Sequence, residues 1–290
     1  MKDTIAFIVG LEHYQKQPTP ISSVQFAEAD AGAMKLALEG LGVPAANIEL
    51  IISAQATKTS LESRLKSAIC RLSAANRFIF FFAGHGLSIS DQNYLTCHDT
   101  QRGDLAATSI PLGWVFETVR KTKCQQTCFF LDCCHSGLPL AASMRGIADH
   151  MTDTEFAAFF GGSEYQVAFA ACKPDESSHS AVTLSHGIWT YHVLQALRGE
   201  DISILDKGRF LTAWSLQNHL AVEVPRTLRT TVSLPARQTP CVFGNATADF
   251  IIADLKPLLD ARQASLASQP KAPRNALFAG ERLGTIKKLS

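Results

Sequence analysis

Two short runs hold the residues best suited to covalent chemistry. Ala83-Gly84-His85-Gly86 follows the apolar stretch Phe78 to Phe82, and Asp132-Cys133-Cys134-His135-Ser136-Gly137 follows Thr127 to Leu131. A thiol attacks a carbonyl as the thiolate, so a catalytic cysteine needs a base beside it and donors aimed at the oxyanion that forms. His85 offers the imidazole and Cys134, 49 positions later, the thiol. The glycines flanking His85 predict a sharp backbone turn open to substrate. Strand alternation sends Cys133 and Cys134 to opposite sides, which makes Cys133 a packed thiol. It sends Asp132 and Cys134 to the same side.

Both runs must be delivered by strands. Ile5 to Val9, Ile48 to Ile52, Phe78 to Phe82, Thr127 to Leu131 and Val167 to Cys172 are short and rich in Ile, Val and Phe, as strands buried on both faces are. Between them the period becomes helical. Ala27, Ala31, Met34, Leu38 and Leu41 mark one helix face within Val24 to Gly42, and Leu61, Leu65, Ile69 and Leu72 mark another, with Thr59 and Glu62 spaced as a capping box. Further helices are expected over Leu112 to Arg120, His186 to Arg198 (closed by Gly199) and Phe210 to Val222. A hairpin is expected near Tyr94 to Thr96, and Cys241 to Phe243 reads as the final strand. Alternation of this kind predicts a mainly parallel sheet with helices on both faces, whose ligands bind beyond the carboxyl ends of the strands. His85 and Cys134 both fall at that edge.

Taken together, the two runs resemble the paired motifs of the caspase-like cysteine peptidases, whose His-to-Cys spacing is about 50 residues. Asp-x-Cys-His-Ser-Gly is closer to the metacaspase and prokaryotic branch than to animal caspases. Glu28-Ala29-Asp30-Ala31, the stretch from Ala170 to Ser178, His186 to Tyr191 and Gln238-Thr239-Pro240 extend the likeness over residues 4–245. It implies an α/β three-layer sandwich with a mainly parallel six-stranded sheet. It also implies a His85–Cys134 dyad with no third carboxylate, and oxyanion donors at the backbone N–H of Gly86 and Cys134. His135 is then structural, and His98, His179, His186 and His192 carry no assigned chemistry.

The same resemblance places Asp30 and Asp132 in the pocket for the residue before the cut bond. Two carboxylates there favour Arg or Lys and repel Asp. Ala83 and Ala27 stand where the family often has serine and cysteine, which makes the pocket less polar. Within Met144-Arg145-Gly146, Arg145 is a self-cleavage candidate. Some relatives bind calcium through clustered aspartates. Asp99, Asp104, Asp149 and Asp153 are scattered here without the order of a calcium loop, so no metal or other cofactor is expected.

Composition bounds the rest. The chain has 290 residues, 46% of them hydrophobic, with 27 basic and 26 acidic side chains, which argues against a general nucleic-acid binder and against global disorder. No apolar run reaches membrane-spanning length, so no membrane insertion and a cytoplasmic location are expected. The eight cysteines then stay reduced, and without any C-x-x-C pair they do not suggest zinc.

The chain divides into a large part near 1–137, a linker or activation loop near 138–165 and a small part near 166–245. Residues 246–290 form an extension that is solvated or serves as a docking segment. Its last twenty residues, from Lys271, hold five basic side chains and one acidic. The activity implied is a cysteine endopeptidase acting on protein or peptide, switched by a protein or small-molecule signal in regulated cell death or antiviral defence. The competing reading is a catalytically silent scaffold that works through protein contacts.

Overall fold

Runs of Ile, Val and Phe too apolar to face water on either side form the centre of a sheet. The computed structural model describes residues 1–89, 92–134, 165–173, 176–232, 236–244 and 250–268. In chain order it has β1 (Thr4–Gly10), α1 (Ala27–Gly40), β2 (Ile48–Ile52), α2 (Lys58–Ile69), β3 (Arg77–Ile89), β4 (Gln92–Leu95), β5 (Ile110–Pro111), α3 (Leu112–Arg120), β6 (Gln126–Cys134) and β7 (Tyr165–Ala170). There follow β8 (Ser180–Ala181), β9 (His186–Gly187), α4 (Ile188–Leu197), β10 (Phe210–Thr212), α5 (Ala213–Thr231), β11 (Cys241–Gly244), β12 (Ile251–Asp254) and α6 (Lys256–Ser268).

The main sheet runs β11-β7-β6-β3-β1-β2, with β4 and β5 attached at the end of β3. Every neighbouring pair from β2 to β7 is parallel, and β11 is antiparallel to β7. Alternation along β3 divides its apolar side chains between two cores. Ile79, Phe81 and Ala83 pack with Met34 and Leu38 of α1, Trp189 and Val193 of α4, and Leu216 and Leu220 of α5. Phe78, Phe80 and Phe82 pack on the other face with Leu61 and Leu65 of α2 and Val115 and Phe116 of α3. Each such side chain contributes roughly 1.5–3 kcal/mol by leaving water. The arrangement is the expected three-layer sandwich.

Several local expectations are corrected. The strand carrying His85 does not stop at Gly84: β3 continues to Ile89, because Gly86 to Ile89 pair antiparallel with β4. His85 therefore sits within a strand, and Gly84 supplies space where a turn was expected. A Cβ on Gly84 would lie 3.0–3.1 Å from the Phe82 ring and Leu11. Helix α2 is capped by Thr57, whose side chain accepts from Ser60 N, in place of the Thr59–Glu62 box. His186 and Gly187 are a short strand ahead of α4, not its first turn.

Phe210 to Thr212 are likewise extended. Thr212 and Ser215 form a reciprocal capping box that starts α5 at Ala213. Beyond the expected Val222, α5 runs through Pro225 to Thr231, because its buried stripe Leu216, Leu220, Val224, Leu228 continues into the core. Cys241–Gly244 is not the last strand either. β12 pairs antiparallel with β10, and Phe250, Ile252, Ala253 and Leu255 are buried in the α1-side core. Arg77, at the start of β3, donates to the Ile252 carbonyl and stacks on Phe250.

Helix α1 lies against the end of β1, where Gly10 leaves almost no clearance. A Cβ there would fall 2.5 Å from the Ala27 carbonyl oxygen and 2.6 Å from the Ala31 side chain. Gly10→Ala should push α1 off the sheet and lower stability by about 1–3 kcal/mol, the usual range for overpacking. A urea denaturation midpoint equal to that of the wild type would contradict this packing.

Candidate active site

The parallel register of β3 and β6 sets the site. Nine consecutive residues pair, from Arg77 with Gln126 to His85 with Cys134. Ala83 pairs with Asp132 and Gly84 with Cys133. The two motifs are thus joined at the backbone, the strand that carries His85 beside the strand that carries Cys134. Gly86 follows in β3 opposite Leu95 of β4. Cys133 is buried in the core facing α2 and α3, as a packed thiol should be. His135 and Arg145 lie outside the described residues, as do Asp149 and Asp153.

His85 is 5% exposed and held from several directions. Its Nε2 lies 2.9 Å from the carbonyl oxygen of Ser22, with the Ser22 hydroxyl at 3.4 Å. A carbonyl only accepts, so Nε2 carries a proton, and in the neutral ring the lone pair is on Nδ1. The backbone is fixed by a closed circuit. His85 N donates to the Tyr14 hydroxyl at 3.1 Å, Tyr14 donates to Thr96 Oγ1 at 2.9 Å, and Thr96 donates back to the His85 carbonyl at 2.8 Å. The Tyr14 ring also stacks on the imidazole, with centroids 5.4 Å apart. Tyr14 and Ser22 come from the loop between β1 and α1, which is tied down by Leu11 N to Ala83 O and by Glu12 N and His13 N to Ser53 Oγ. Neither residue is singled out by sequence, because Ser22 acts mainly through its backbone carbonyl and Tyr14 reaches His85 from 71 positions away with no motif around it.

Beside His85 is a cavity of about 200 Å³ lined in part by Ala27, Asp30, Ala83, Asp132, Ser178 and Gly187. Asp30 and Asp132 are 2% and 7% exposed. Asp132 Oδ1 accepts from Ser178 Oγ at 2.8 Å, and Oδ2 accepts from Thr190 Oγ1 at 2.5 Å. Gln238, itself buried, donates to Ser178 Oγ and to the Ala171 carbonyl, while its Oε1 accepts from His179 N. Asp30 Oδ1 meets His186 Nδ1 at 2.6 Å, and Oδ2 accepts from Gly187 N at 3.1 Å. A Cβ on Gly187 would lie 2.9 Å from Asp132 Oδ2 and 3.0 Å from Asp30 Oδ2, so the two carboxyls converge on this one glycine.

Burial pushes both carboxyls upward. For Asp30 the rise reaches about 7: desolvation leads, the His186 bond opposes it, and the nearby Asp132 charge adds to it. Asp132 is also raised by burial, against the pull of Thr190 and Ser178. Each carboxylate has room for about four hydrogen bonds, so both keep acceptor capacity toward the cavity. Neither lysine nor arginine lines that cavity among the described residues.

A larger cleft of about 560 Å³, between residues 15–19 and 99–103, contains none of the motif residues. Two of the scattered aspartates have local tasks: Asp99 accepts from Lys58 N and Asp104 from Ala107 N. Among the described residues, no three His, Cys, Asp or Glu side chains gather as a metal site, and no helix is long and apolar enough to cross a membrane.

A family model described as the caspase domain matches residues 3–251. The chain belongs to the caspase-domain family. Solved structures similar in fold include a protein from Geobacter sulfurreducens, at 17% identity and a TM-score of 0.59, covering 88% of this chain and 98% of the other. Caspase-1 from Spodoptera frugiperda is similar at 13% identity and the same TM-score, covering 87% and 90%. No curated protein matches the sequence. At these identities the two structures speak for the caspase fold, and the family model extends it from β1 into β12.

The raised Asp30 carboxyl has a thermodynamic sign. A carboxyl that binds its proton more tightly folded than unfolded costs stability as pH rises from about 4 to about 7, and the full cost persists above that. Asp30→Asn can keep the contacts to His186 and Gly187 while removing the charge. It should raise stability at pH 8 by on the order of 1–4 kcal/mol, with the gain shrinking as pH falls toward 4. Thermal unfolding at pH 8 and pH 4.5 checks this, and a gain that grew on acidification would contradict it.

Proposed function

We propose that this caspase-domain chain is a cysteine endopeptidase with a His85–Cys134 dyad that cuts protein or peptide substrates after Arg or Lys. The observation that carries the reading is the pairing of His85 with Cys134 next to a cavity that holds two carboxylates and, among the described residues, no lysine or arginine.

In this scheme the Cys134 thiol gives its proton to His85 Nδ1, and the thiolate bonds to the scissile carbonyl carbon. The Ser22 carbonyl supports the tautomer this requires, since it engages Nε2–H. The oxyanion is held by the backbone N–H groups of Gly86 and Cys134. Collapse breaks the C–N bond, and the leaving amine takes the proton from His85. Water, deprotonated by the same imidazole, then cleaves the thioester and restores the thiol.

Asp30 and Asp132 would receive the guanidinium or ammonium of the residue before the cut. A cation arriving between two partly desolvated, mutually repelling carboxylates relieves their repulsion, so the pocket favours Arg or Lys over Asp. By resemblance to prokaryotic relatives, the activity belongs under an activating protein or small-molecule signal, in regulated cell death or antiviral defence, with Arg145 as a position for self-cleavage.

A fluorogenic peptide panel varied at the residue before the cut tests this reading. Cys134→Ala should abolish turnover and His85→Ala nearly so, because the two act as one unit. Cys133→Ala should retain most of it. Inverted results for the two cysteines would reverse the assignment.

The pocket has its own test. Charge-assisted contacts contribute roughly 1.5–3 kcal/mol, or about 10- to 150-fold. Asp132→Asn should lower kcat/KM for an Arg substrate by that factor and leave an uncharged substrate little changed. A wild-type preference for an acidic or small apolar residue would remove the pocket assignment and leave the dyad intact.

A further inference from the structure

His186 has no place in the dyad scheme, yet it is the group that touches the pocket's more adjustable carboxylate. The dipeptide His186-Gly187 holds Asp30 at two points, Nδ1 on Oδ1 at 2.6 Å and the glycine N–H on Oδ2 at 3.1 Å. It is itself held in place: Ala181 pairs with His186 and Ser180 with Gly187 across β8–β9, and α4 begins at the next residue. The same Gly187 is the point on which Asp132 Oδ2 converges, so the clamp sets how the two carboxyls face each other. The His186 side chain is 19% exposed against 3% for Asp30, which puts it at the rim of the pocket.

We infer that His186 is a specificity-determining positioning residue, which by donating from Nδ1 to Asp30 keeps that carboxylate charged and aimed beside Asp132 for a basic substrate side chain. The inference rests on the pocket reading above and deepens it.

Two buried carboxylates side by side resist being charged together. Asp30 faces Asp132 from β6 and His186 from β9, and His85 of β3 and His179 line the same cavity. Of these groups, His186 is the one whose bond holds the Asp30 charge in place, against burial and the Asp132 charge. Asp132 instead is held by neutral donors, the hydroxyls of Ser178 and Thr190 and the Thr190 backbone. The pair is therefore asymmetric. Asp30 stands near the middle of the physiological range, at about 7. Charge on it is lost as pH falls through that value, and the preference for a basic residue should fall with it.

The test compares kcat/KM for two peptides, one with Arg and one with an uncharged residue before the cut, from pH 5.5 to 9. Their ratio cancels the titration of the dyad, which both substrates share. In the wild type the ratio should rise as pH passes about 7. In His186→Ala the midpoint should move up by about one pH unit, and the ratio at pH 7 should drop about fivefold, with the uncharged peptide little affected. His186→Asn, which keeps a donor at the same distance along the side chain, should recover part of the loss. A purely structural role would slow both peptides alike.

A direct reading needs no substrate. The Asp30 carboxyl carbon, followed by NMR in 13C-Asp-labelled protein and assigned with Asp30→Asn, should titrate higher in His186→Ala than in the wild type. An Arg-preferring wild type whose ratio and Asp30 titration are unmoved by both His186 substitutions would overturn this inference alone. A wild type with no basic preference would overturn the pocket reading, and the specificity role of His186 with it. Should the alanine variant fail to fold, His186→Phe, which fills the space without a donor, carries the same measurements, and an Asp30 titration and ratio unchanged there count against the inference.

Discussion

The register between β3 and β6 is the constraint on which the site depends. Because side chains alternate strictly along a strand, a slip of one residue would exchange the two faces of the sheet along every position of one strand. His85 would then lie beside Cys133, whose side chain belongs to the α2 and α3 core. What prevents the slip is the phenylalanine content of the two strands. Phe78, Phe80 and Phe129 must meet α2 and α3, while Phe81 and Phe130 must meet α1 and α4, and no pairing shifted by one residue satisfies both sets. The geometry of the motifs is thus maintained by residues several positions upstream that touch no substrate.

Above that frame, the pocket combines elements that do not cooperate in stability. Asp30 and Asp132 are buried at a free-energy cost, partly offset by donors from β9, α4 and the segment leading to β8. Native domains accept such local losses where binding requires them. The donors differ in kind. Hydroxyls hold Asp132, whereas an imidazole and a backbone N–H hold Asp30.

Much of the architecture could be read from the residues. Fully apolar strands, one-face helices and the order of the two motifs are local signals, and the sheet, both helix layers and the burial of Cys133 follow from them. The misreadings have a common physical origin, since they occur where local chemistry suits two conformations. Glycines around His85 suit a turn or a crowded strand, and the β4 pairing selected the strand. Thr59 and Glu62 have capping-box spacing, but Thr57 lies where the chain leaves its extended segment. In the site, Asp30 and Asp132 were found through motif resemblance. Ser22, Tyr14, Thr190 and His186 were not, because their contacts lack a local signature; His186 and Asp30 are 156 positions apart.

The return of the chain through β12 bears on how such a domain can be shortened or inherited. Judged by the main sheet, the unit closes at Gly244. Yet Leu255 fills the space over Gly199, and a Cβ on that glycine would lie 2.8 Å from it; Arg77 reaches from the base of β3 to the Ile252 carbonyl. A gene truncated just after β11 would lose more than an appendage. It would uncover the apolar underside of α5 and unbind the foot of the strand that bears His85. The smallest heritable form of this fold therefore extends through β12 into α6, where Leu258 and Leu259 still pack on the core and Arg262 still donates to the Arg198 and Gly199 carbonyls.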